Sequence, residues 1–344
     1  MPEGRTQRRP PTIRTRVIAD VDFDREGKQF AVLRLPNSHN DSCWGTVAIP
    51  IVVIANGLGP TLLLTGGIHG DEYEGQIVLN DLARALEPGS VRGRVIIVPS
   101  LHFPACQAGT RLSPIDNRDI NRTFPGDPNG TFAYMLSHYV SEALLPICDA
   151  VLDLHSGGRS LDCLPCTMSH ILDDAAATAR TIAFAKAFGA PYHVMSREVD
   201  GSGTFQSTAE TKGVLSMSSE LGGANRVSLV GLKITESGVW NVLRWLKIIE
   251  GAPQLSEAPT RVMLLPTVEC YHFAPATGIY RPFHEIGAWV NAGEPAAAIY
   301  AIDEPSRLPT VLAYRASGLL WATRGQGRIA AGDSAAVVVV PAEE

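Results

Sequence analysis

The chain has few cysteines and no long uninterrupted run of apolar residues. Six cysteines are scattered through 344 residues, so a chain of this size is not expected to depend on disulfides. No stretch of about 18 apolar residues could cross a bilayer, and the longest apolar runs are as long as a β-strand. These absences exclude a disulfide-rich secreted module and a membrane-spanning protein. The thiols, expected to be free, belong to Cys43, Cys106, Cys148, Cys163, Cys166 and Cys270.

The chain also lacks a large excess of charge of either sign. The 29 basic residues are scattered among 35 acidic ones, giving a net charge of −6, so no basic stripe for nucleic acid is expected. A hydrophobic content of 45% is typical of a packed globular protein, and we expect its partner to be a small molecule. Residues 1–16 are rich in arginine but lack the apolar segment of a signal peptide. They predict a flexible tail on a cytoplasmic protein, with a homo-oligomer left open.

Strand-like and helix-like segments alternate over most of the chain. This alternation predicts an α/β fold with a mixed, largely parallel sheet flanked by helices, in which ligands bind beyond the strand ends. Strands are predicted at 46–56, 62–64, 94–98, 150–154 and 214–219, and helices at 75–86, 132–145, 175–188 and 229–249.

The pattern changes after the Gly-Ala-Pro sequence at 251–253. Helical periodicity ends, and short apolar segments alternate with glycine-containing turns, as in a small barrel or sandwich. We therefore predict a catalytic domain at 1–255 and a smaller β-rich domain at 256–344 that caps it.

Two histidines and one glutamate follow predicted strands. His69 and Glu72 are three residues apart in a glycine-rich turn after one strand, and His155 ends another. Two imidazoles and one carboxylate form a ligand set that Zn²⁺ accepts in catalytic sites, where the fourth position is left for water. The alternatives are a surface loop with an acidic helix start for His69 and Glu72, and a hydrogen-bonded structural histidine for His155. The sequence predicts a site for one zinc ion.

Glu220 follows a further predicted strand and precedes a glycine turn. It could reach the same crevice and act as a general base toward water activated by the metal. The alternative is a glutamate on the surface.

A polar stretch at 111–126 is too rich in arginine and asparagine for a protein core. A guanidinium can bind a carboxylate through two parallel hydrogen bonds. One of Arg111 and Arg122 could hold a substrate carboxylate while the other polarises the scissile carbonyl. A solvated loop that pairs its own charges is the alternative.

Together these motifs resemble the succinylglutamate desuccinylase and aspartoacylase family, which is related to the zinc carboxypeptidases. The resemblance spans residues 66–223, and the β-rich C-terminal region is also similar to the family's second domain. It is carried by His69-x-x-Glu72, by Asp119-Ile120-Asn121-Arg122-x-Phe124-Pro125-Gly126, by His155 and by Glu220-x-Gly222.

The resemblance implies a hydrolase that cleaves a short acyl group from an N-acyl amino acid. It implies zinc bound by the two histidines and Glu72, Glu220 as the base, and substrate contacts from Asn121, Arg122 and, more loosely, Arg111. In the leading mechanism, Arg122 and zinc stabilise the oxyanion. The family's C-terminal domain can contribute a tyrosine, for which Tyr271 and Tyr280 are the candidates.

Within the family, the runs at 110–116 and 219–223 most resemble the deacetylases of ectoine breakdown, which act on N-acetyl-2,4-diaminobutyrate. An acidic substrate of the aspartoacylase type is the alternative.

A carboxypeptidase shares the metal centre but needs an open groove, which a capping domain disfavours. A structural zinc scaffold usually needs four protein ligands. No further cysteine or histidine lies at short spacing from His69 or His155 to supply the fourth. Cys163 and Cys166 match a C-x-x-C pattern without a second pair.

Overall fold

A computed structural model describes residues 8–197 and 203–342. It has a mixed α/β fold, which confirms the predicted fold class. The α-helices of the described residues are α1 Glu74–Ala85, α2 Phe103–Ala108, α3 Phe132–Tyr139, α4 Ala175–Phe188, α5 Phe205–Thr211 and α6 Leu229–Trp245.

The strands before the last helix form most of one large mixed sheet. They are β1 Ile18–Ala19, β2 Gly27–Pro36, β3 Thr46–Asn56, β4 Thr61–Gly66, β5 Gly93–Val98, β6 Ala150–Leu154, β7 Leu161–Cys163, β8 Cys166–His170, β9 Tyr192–Ser196 and β10 Leu215–Glu220. The sheet's first strands run in the order β1-β2-β3-β5-β4-β6-β10-β8-β9. The centre, β5-β4-β6-β10, is parallel, whereas β1, β2 and β3 are antiparallel. Since β4, β6 and β10 are parallel neighbours, their carboxyl ends meet at one edge.

The central strands are buried on both faces, as expected for parallel strands covered by helices. Alternate side chains enter two separate apolar cores. Leu63 and Val151 pack with α3, while Leu62 and Leu152 pack with α1, α4 and α6 on the other face. The sheet is therefore a rigid frame for residues at its ends.

Several boundaries differ from the sequence predictions. The helix predicted at 132–145 changes after Tyr139 into a π turn and then a 3₁₀ turn that contains Pro146, since proline cannot donate the next helical hydrogen bond. The long helix predicted to 249 ends at Trp245, and Lys247 has a φ of 61°. Strands β2, β8 and β9 were not predicted.

The remaining strands are β11 Arg261–Leu265, β12 Tyr271–Phe273, β13 Gly278–Pro282, β14 Trp289–Val290, β15 Pro295–Tyr300, β16 Thr310–Ala313, β17 Gly318–Arg324, β18 Arg328–Ile329 and β19 Ser334–Pro341. β11 extends the large sheet by pairing with β9, and β19, β17 and β14 follow it. A second sheet has the order β16-β15-β13-β18. The predicted boundary near 255 lies between α6 and β11, and hydrogen bonds continue across it through the large sheet.

The arginine-rich start of the chain is described from residue 8. The fully buried guanidinium of Arg94 donates to the carbonyls of Arg8, at 2.6 Å, and Phe23, at 2.7 Å. The first seven residues of the predicted tail lie outside the described residues. In the described part of the chain, no helix is long and apolar enough to cross a membrane.

Candidate active site

His69 and Glu72 lie in the tight turn that connects β4 to α1. Gly70 allows this turn to press against α2, because a Cβ at this position would lie 2.0 Å from the backbone of Ala105. Gly67 turns the chain with a φ of 63°, a conformation that favours glycine. The turn thus places both side chains at the carboxyl edge of the sheet.

His155 follows the neighbouring parallel strand β6 and meets the same turn. Nδ1 of His69 lies 2.7 Å from Oε1 of Glu72, and Nδ1 of His155 lies 2.9 Å from Oε2 of the same carboxylate. One ligand atom from each residue lies within 4.8 Å of the other two, and all three residues are buried. This donor set can hold a divalent metal ion, and we call it the triad.

A second carboxylate holds the far nitrogen of each triad histidine. Nε2 of His69 lies 3.2 Å from Asp119, and Nε2 of His155 lies 2.7 Å from Asp153. The hydroxyl of Thr65 donates to Asp153 at 2.6 Å and fixes that carboxylate in turn. Such outer carboxylates orient metal-binding imidazoles and select the tautomer whose other nitrogen faces the metal. Asp153 and His155 are two residues apart, a spacing that puts both side chains on one face of an extended strand, whereas nothing in the sequence predicted Asp119 as the partner of His69.

Charge within the triad shifts its pKa values. Burial alone would raise the pKa of Glu72, yet His69 and His155 hold it well below its usual range. Burial disfavours protonation of the histidines, but Glu72 raises the pKa of His69, and Asp153 with Glu72 raises that of His155. The site therefore stabilises positive charge beside Glu72, as a cation site must.

Glu220 is the last residue of β10, not the first after it, and its side chain enters the same cavity as the triad. Its Oε2 is buried with no hydrogen-bond partner among the described residues. Burial and the charge of Glu72 raise the pKa of Glu220 to about 8. A buried carboxyl whose proton is weakly acidic is suited to exchange that proton with a bound molecule.

The predicted arginines also line this cavity, which has a volume of about 260 Å³. The Arg111 guanidinium forms a forked ion pair with Asp119 at 2.9 and 3.1 Å, and its Nη1 lies 3.4 Å from Nδ1 of His69. Arg122 lies on a 3₁₀ turn and donates to the carbonyl of Asn121. The Asn121 side-chain oxygen accepts a hydrogen bond from the backbone N–H of Phe205 at 2.8 Å, which fixes the amide.

The two candidate tyrosines have different surroundings. Tyr271 lines the cavity, whereas Tyr280 is buried in the core of the second sheet. The Tyr280 hydroxyl donates to the carbonyl of Ala335 at 3.1 Å and lies 3.2 Å from the hydroxyl of Thr323. Only Tyr271 of the two lies where a substrate could contact it.

One wall of the cavity was not predicted from the sequence. It consists of side chains from β8, β9, α5 and β10 that line the cavity, namely Ser169, His170, Ser196, Gln206 and Ser218. The one signal that could have indicated this wall is the position of most of its residues at the ends of strands.

The two thiols of the C-x-x-C pattern are buried, which raises their pKa values far above the usual range, and both are free. Neither is suited to redox chemistry.

A model of the succinylglutamate desuccinylase/aspartoacylase catalytic domain matches residues 58–246, more than half of the chain. The chain belongs to this family and is a hydrolase of the deacylase type. It is 41% identical, over 96% of each sequence, to the N-alpha-acetyl-L-2,4-diaminobutyric acid deacetylase of Halomonas elongata.

Two solved structures share the fold closely. A succinylglutamate desuccinylase/aspartoacylase from Rhodobacter sphaeroides is 46% identical with a TM-score of 0.92, over 96% of this chain and 100% of that one. The product-bound ectoine utilization protein EutE (DoeB) from Ruegeria pomeroyi is 40% identical with a TM-score of 0.92, over 95% and 99% of the two chains. These likenesses confirm the family inferred from the sequence motifs.

Proposed function

We propose that the protein is a zinc-dependent amidohydrolase that removes the acetyl group from N-acetyl-L-2,4-diaminobutyrate, a step of ectoine breakdown in the cytoplasm. The observation that carries this proposal is the buried triad beside the Glu220 carboxyl, whose Oε2 has no hydrogen-bond partner among the described residues. The choice of substrate is supported by the likeness to the Halomonas elongata deacetylase and to the ectoine utilization protein.

His69, Glu72 and His155 would bind the zinc ion. Three protein ligands are the usual number for a catalytic zinc, and Asp119 and Asp153 provide the outer carboxylates that such imidazoles need. When bound, zinc supplies a Lewis acid that polarises a carbonyl and lowers the pKa of water.

The two arginines would divide the substrate between them. Arg111 is close enough to the triad to polarise the acyl carbonyl and to stabilise the negative charge that develops on its oxygen. Arg122 and the amide NH₂ of Asn121 would hold the α-carboxylate, because the Asn121 oxygen is already bonded to the backbone of Phe205. This assignment moves the oxyanion role from Arg122, where the sequence-based mechanism put it, to Arg111.

Glu220 would transfer the proton. As a carboxylate it accepts a proton from the attacking water, and as a carboxylic acid it gives that proton to the departing α-nitrogen. Tyr271 would contact the substrate from the C-terminal side of the cavity.

Replacing the proposed base tests this mechanism. Glu220→Ala should retain zinc but lose activity by about 100- to 10,000-fold, the usual contribution of general acid–base catalysis. The wild-type kcat/KM should rise with pH as Glu220 ionises, with its midpoint below pH 8, since a bound cation favours the carboxylate over the cation-free pKa of about 8. Zinc analysis and a pH profile would check this. Full activity in Glu220→Ala would contradict the role of Glu220.

A screen of substrates tests the choice of reaction. Purified protein of known zinc content should hydrolyse N-acetyl-L-2,4-diaminobutyrate faster than N-succinyl and N-formyl amino acids, N-acetylaspartate and a panel of dipeptides. Preference for N-acetylaspartate would indicate an acidic substrate of the aspartoacylase type. Activity on dipeptides alone would indicate a carboxypeptidase.

A further inference from the structure

The unpredicted wall of the cavity contains a chain of hydrogen bonds that ends on a carboxylate. Ser218 donates from its hydroxyl to the Gln206 side-chain oxygen at 2.9 Å, and the Gln206 amide donates to Oε1 of Glu210 at 3.0 Å. The other oxygen of Glu210 lies 2.7 Å from Nδ1 of His170. We call Gln206, Glu210 and His170 the distal cluster.

The distal cluster is firmly placed and largely removed from water. Gln206 and Glu210 are one turn apart on α5, and His170 ends β8, so two elements of secondary structure hold the carboxylate. The side chains of His170 and Glu210 are only 17% and 13% exposed. Charge at such a position is weakly screened and acts on whatever occupies the adjoining cavity.

The charges around the cavity are distributed unevenly. Among its described lining residues the only guanidinium groups are those of Arg111 and Arg122, on the loop at 111–122. The wall formed by β8, β9, α5 and β10 has hydroxyls, an amide and an imidazole at its surface, and the amide and the imidazole both contact the Glu210 carboxylate. The nearby cation Lys212 is already paired with Glu142 at 3.0 Å.

An acidic side chain beside the distal cluster would be repelled by the charge of Glu210, whose side-chain contacts among the described residues are with Gln206 and His170 and with no lysine or arginine. An ammonium group would be stabilised by that charge and could donate to the hydroxyl of Ser196, which lines the cavity and is the neighbour of His170 in the sheet. The wall thus matches the chemistry of a primary amine.

We propose that the distal cluster forms the subsite for the side-chain ammonium of the substrate, so that Glu210 determines the preference for a basic over an acidic N-acyl amino acid. This inference rests on the proposed function, since it assumes that the α-carboxylate is held by Arg122 and the acyl group by the triad. The 2,4-diaminobutyrate side chain would then extend toward the distal cluster. Glu210 acts through its charge and through the groups it orients.

The test compares substrates that differ only in the amine. Wild-type protein should show a kcat/KM about 10-fold or more higher for N-acetyl-2,4-diaminobutyrate than for N-acetyl-2-aminobutyrate, which lacks the amine. Glu210→Gln should reduce that advantage by about 10- to 100-fold, mainly through KM, and leave the aminobutyrate substrate within about twofold. Gln206→Met, which removes one support of Glu210, should give a smaller loss in the same direction.

A matched control is available on the neighbouring ion pair. Glu142→Gln makes the same chemical change at an exposed carboxylate and should alter neither substrate. An equal loss for both substrates in Glu210→Gln would show a merely structural role and overturn the inference, as would a wild-type protein that does not distinguish the two substrates.

Product binding separates this inference from the proposed reaction. By calorimetry, 2,4-diaminobutyrate should bind about 10-fold more tightly to wild-type protein than to Glu210→Gln, whereas 2-aminobutyrate should bind both equally. Absence of hydrolysis of any N-acetyl amino acid would refute the proposed function, and the binding difference would still support the subsite. Equal binding of the two products by the wild type would refute the subsite alone.

Discussion

The α/β region and the C-terminal β region contribute very differently to the cavity. Every charged side chain that lines it comes from residues before 256, whereas the C-terminal region lines it, within the described residues, with Tyr271 alone. The reason is topological. Parallel strands bring the ends of distant segments to one edge, while the C-terminal strands are largely antiparallel and pack apolar side chains between sheets. The charged groups of the cavity therefore come from the strand ends and loops of the α/β region, and the C-terminal region adds one aromatic side chain.

The largest expected effect comes from removing the carboxylate of the triad. Glu72→Ala should abolish stoichiometric zinc binding and lower kcat/KM by more than about 1,000-fold, because two imidazoles alone do not make a three-ligand site. Metal analysis after gel filtration and initial rates would measure both effects. In the C-terminal region, Glu294→Gln alters an ion pair with His284 and should change neither. Equal losses in both variants would contradict the division between the two regions.

The outer carboxylates should have an intermediate effect. Asp119→Asn and Asp153→Asn should each weaken zinc affinity by about 10- to 100-fold, because an amide orients the imidazole less strongly and can select the wrong tautomer. Competition with a chelator of known affinity would give the values. Asp162→Asn, at an ion pair with Arg226, is the matched control. Unchanged affinity in both triad-facing variants would show that these contacts do not support a metal site.

The smallest effects distinguish the two tyrosines. Tyr271→Phe should lower kcat/KM by about 3- to 30-fold, as expected for one lost hydrogen bond to a substrate. Tyr280→Phe should leave kinetics unchanged and reduce the free energy of unfolding by about 1 kcal/mol, because its hydroxyl bonds only within the second sheet. Rates and urea denaturation of both variants would check this. The opposite assignment of effects would require another arrangement of the C-terminal region at the cavity.

Much of the site could be predicted because its chemistry is local in sequence. Glycines let the backbone turn sharply after β4, so His69 and Glu72, three residues apart, can face one ion. The alternation of strands and helices placed His155 and Glu220 at strand ends. The position of β2, β8 and β9 was missed, since each carries polar residues that blur the apolar pattern.

The sequence by itself determined the fold class and the residues that can bind a metal, because apolar periodicity and ligand type are properties of short segments. Tertiary structure decided which of these residues meet. Strands β4 and β6 lie side by side in the sheet, so His155 reaches Glu72 across 83 positions of chain. The tertiary structure also paired Asp119 with His69 and separated Tyr271 from Tyr280. It placed the Glu210 carboxylate against His170 and Gln206 of the cavity wall. No local pattern encodes these relations, because each depends on how separate elements pack in space.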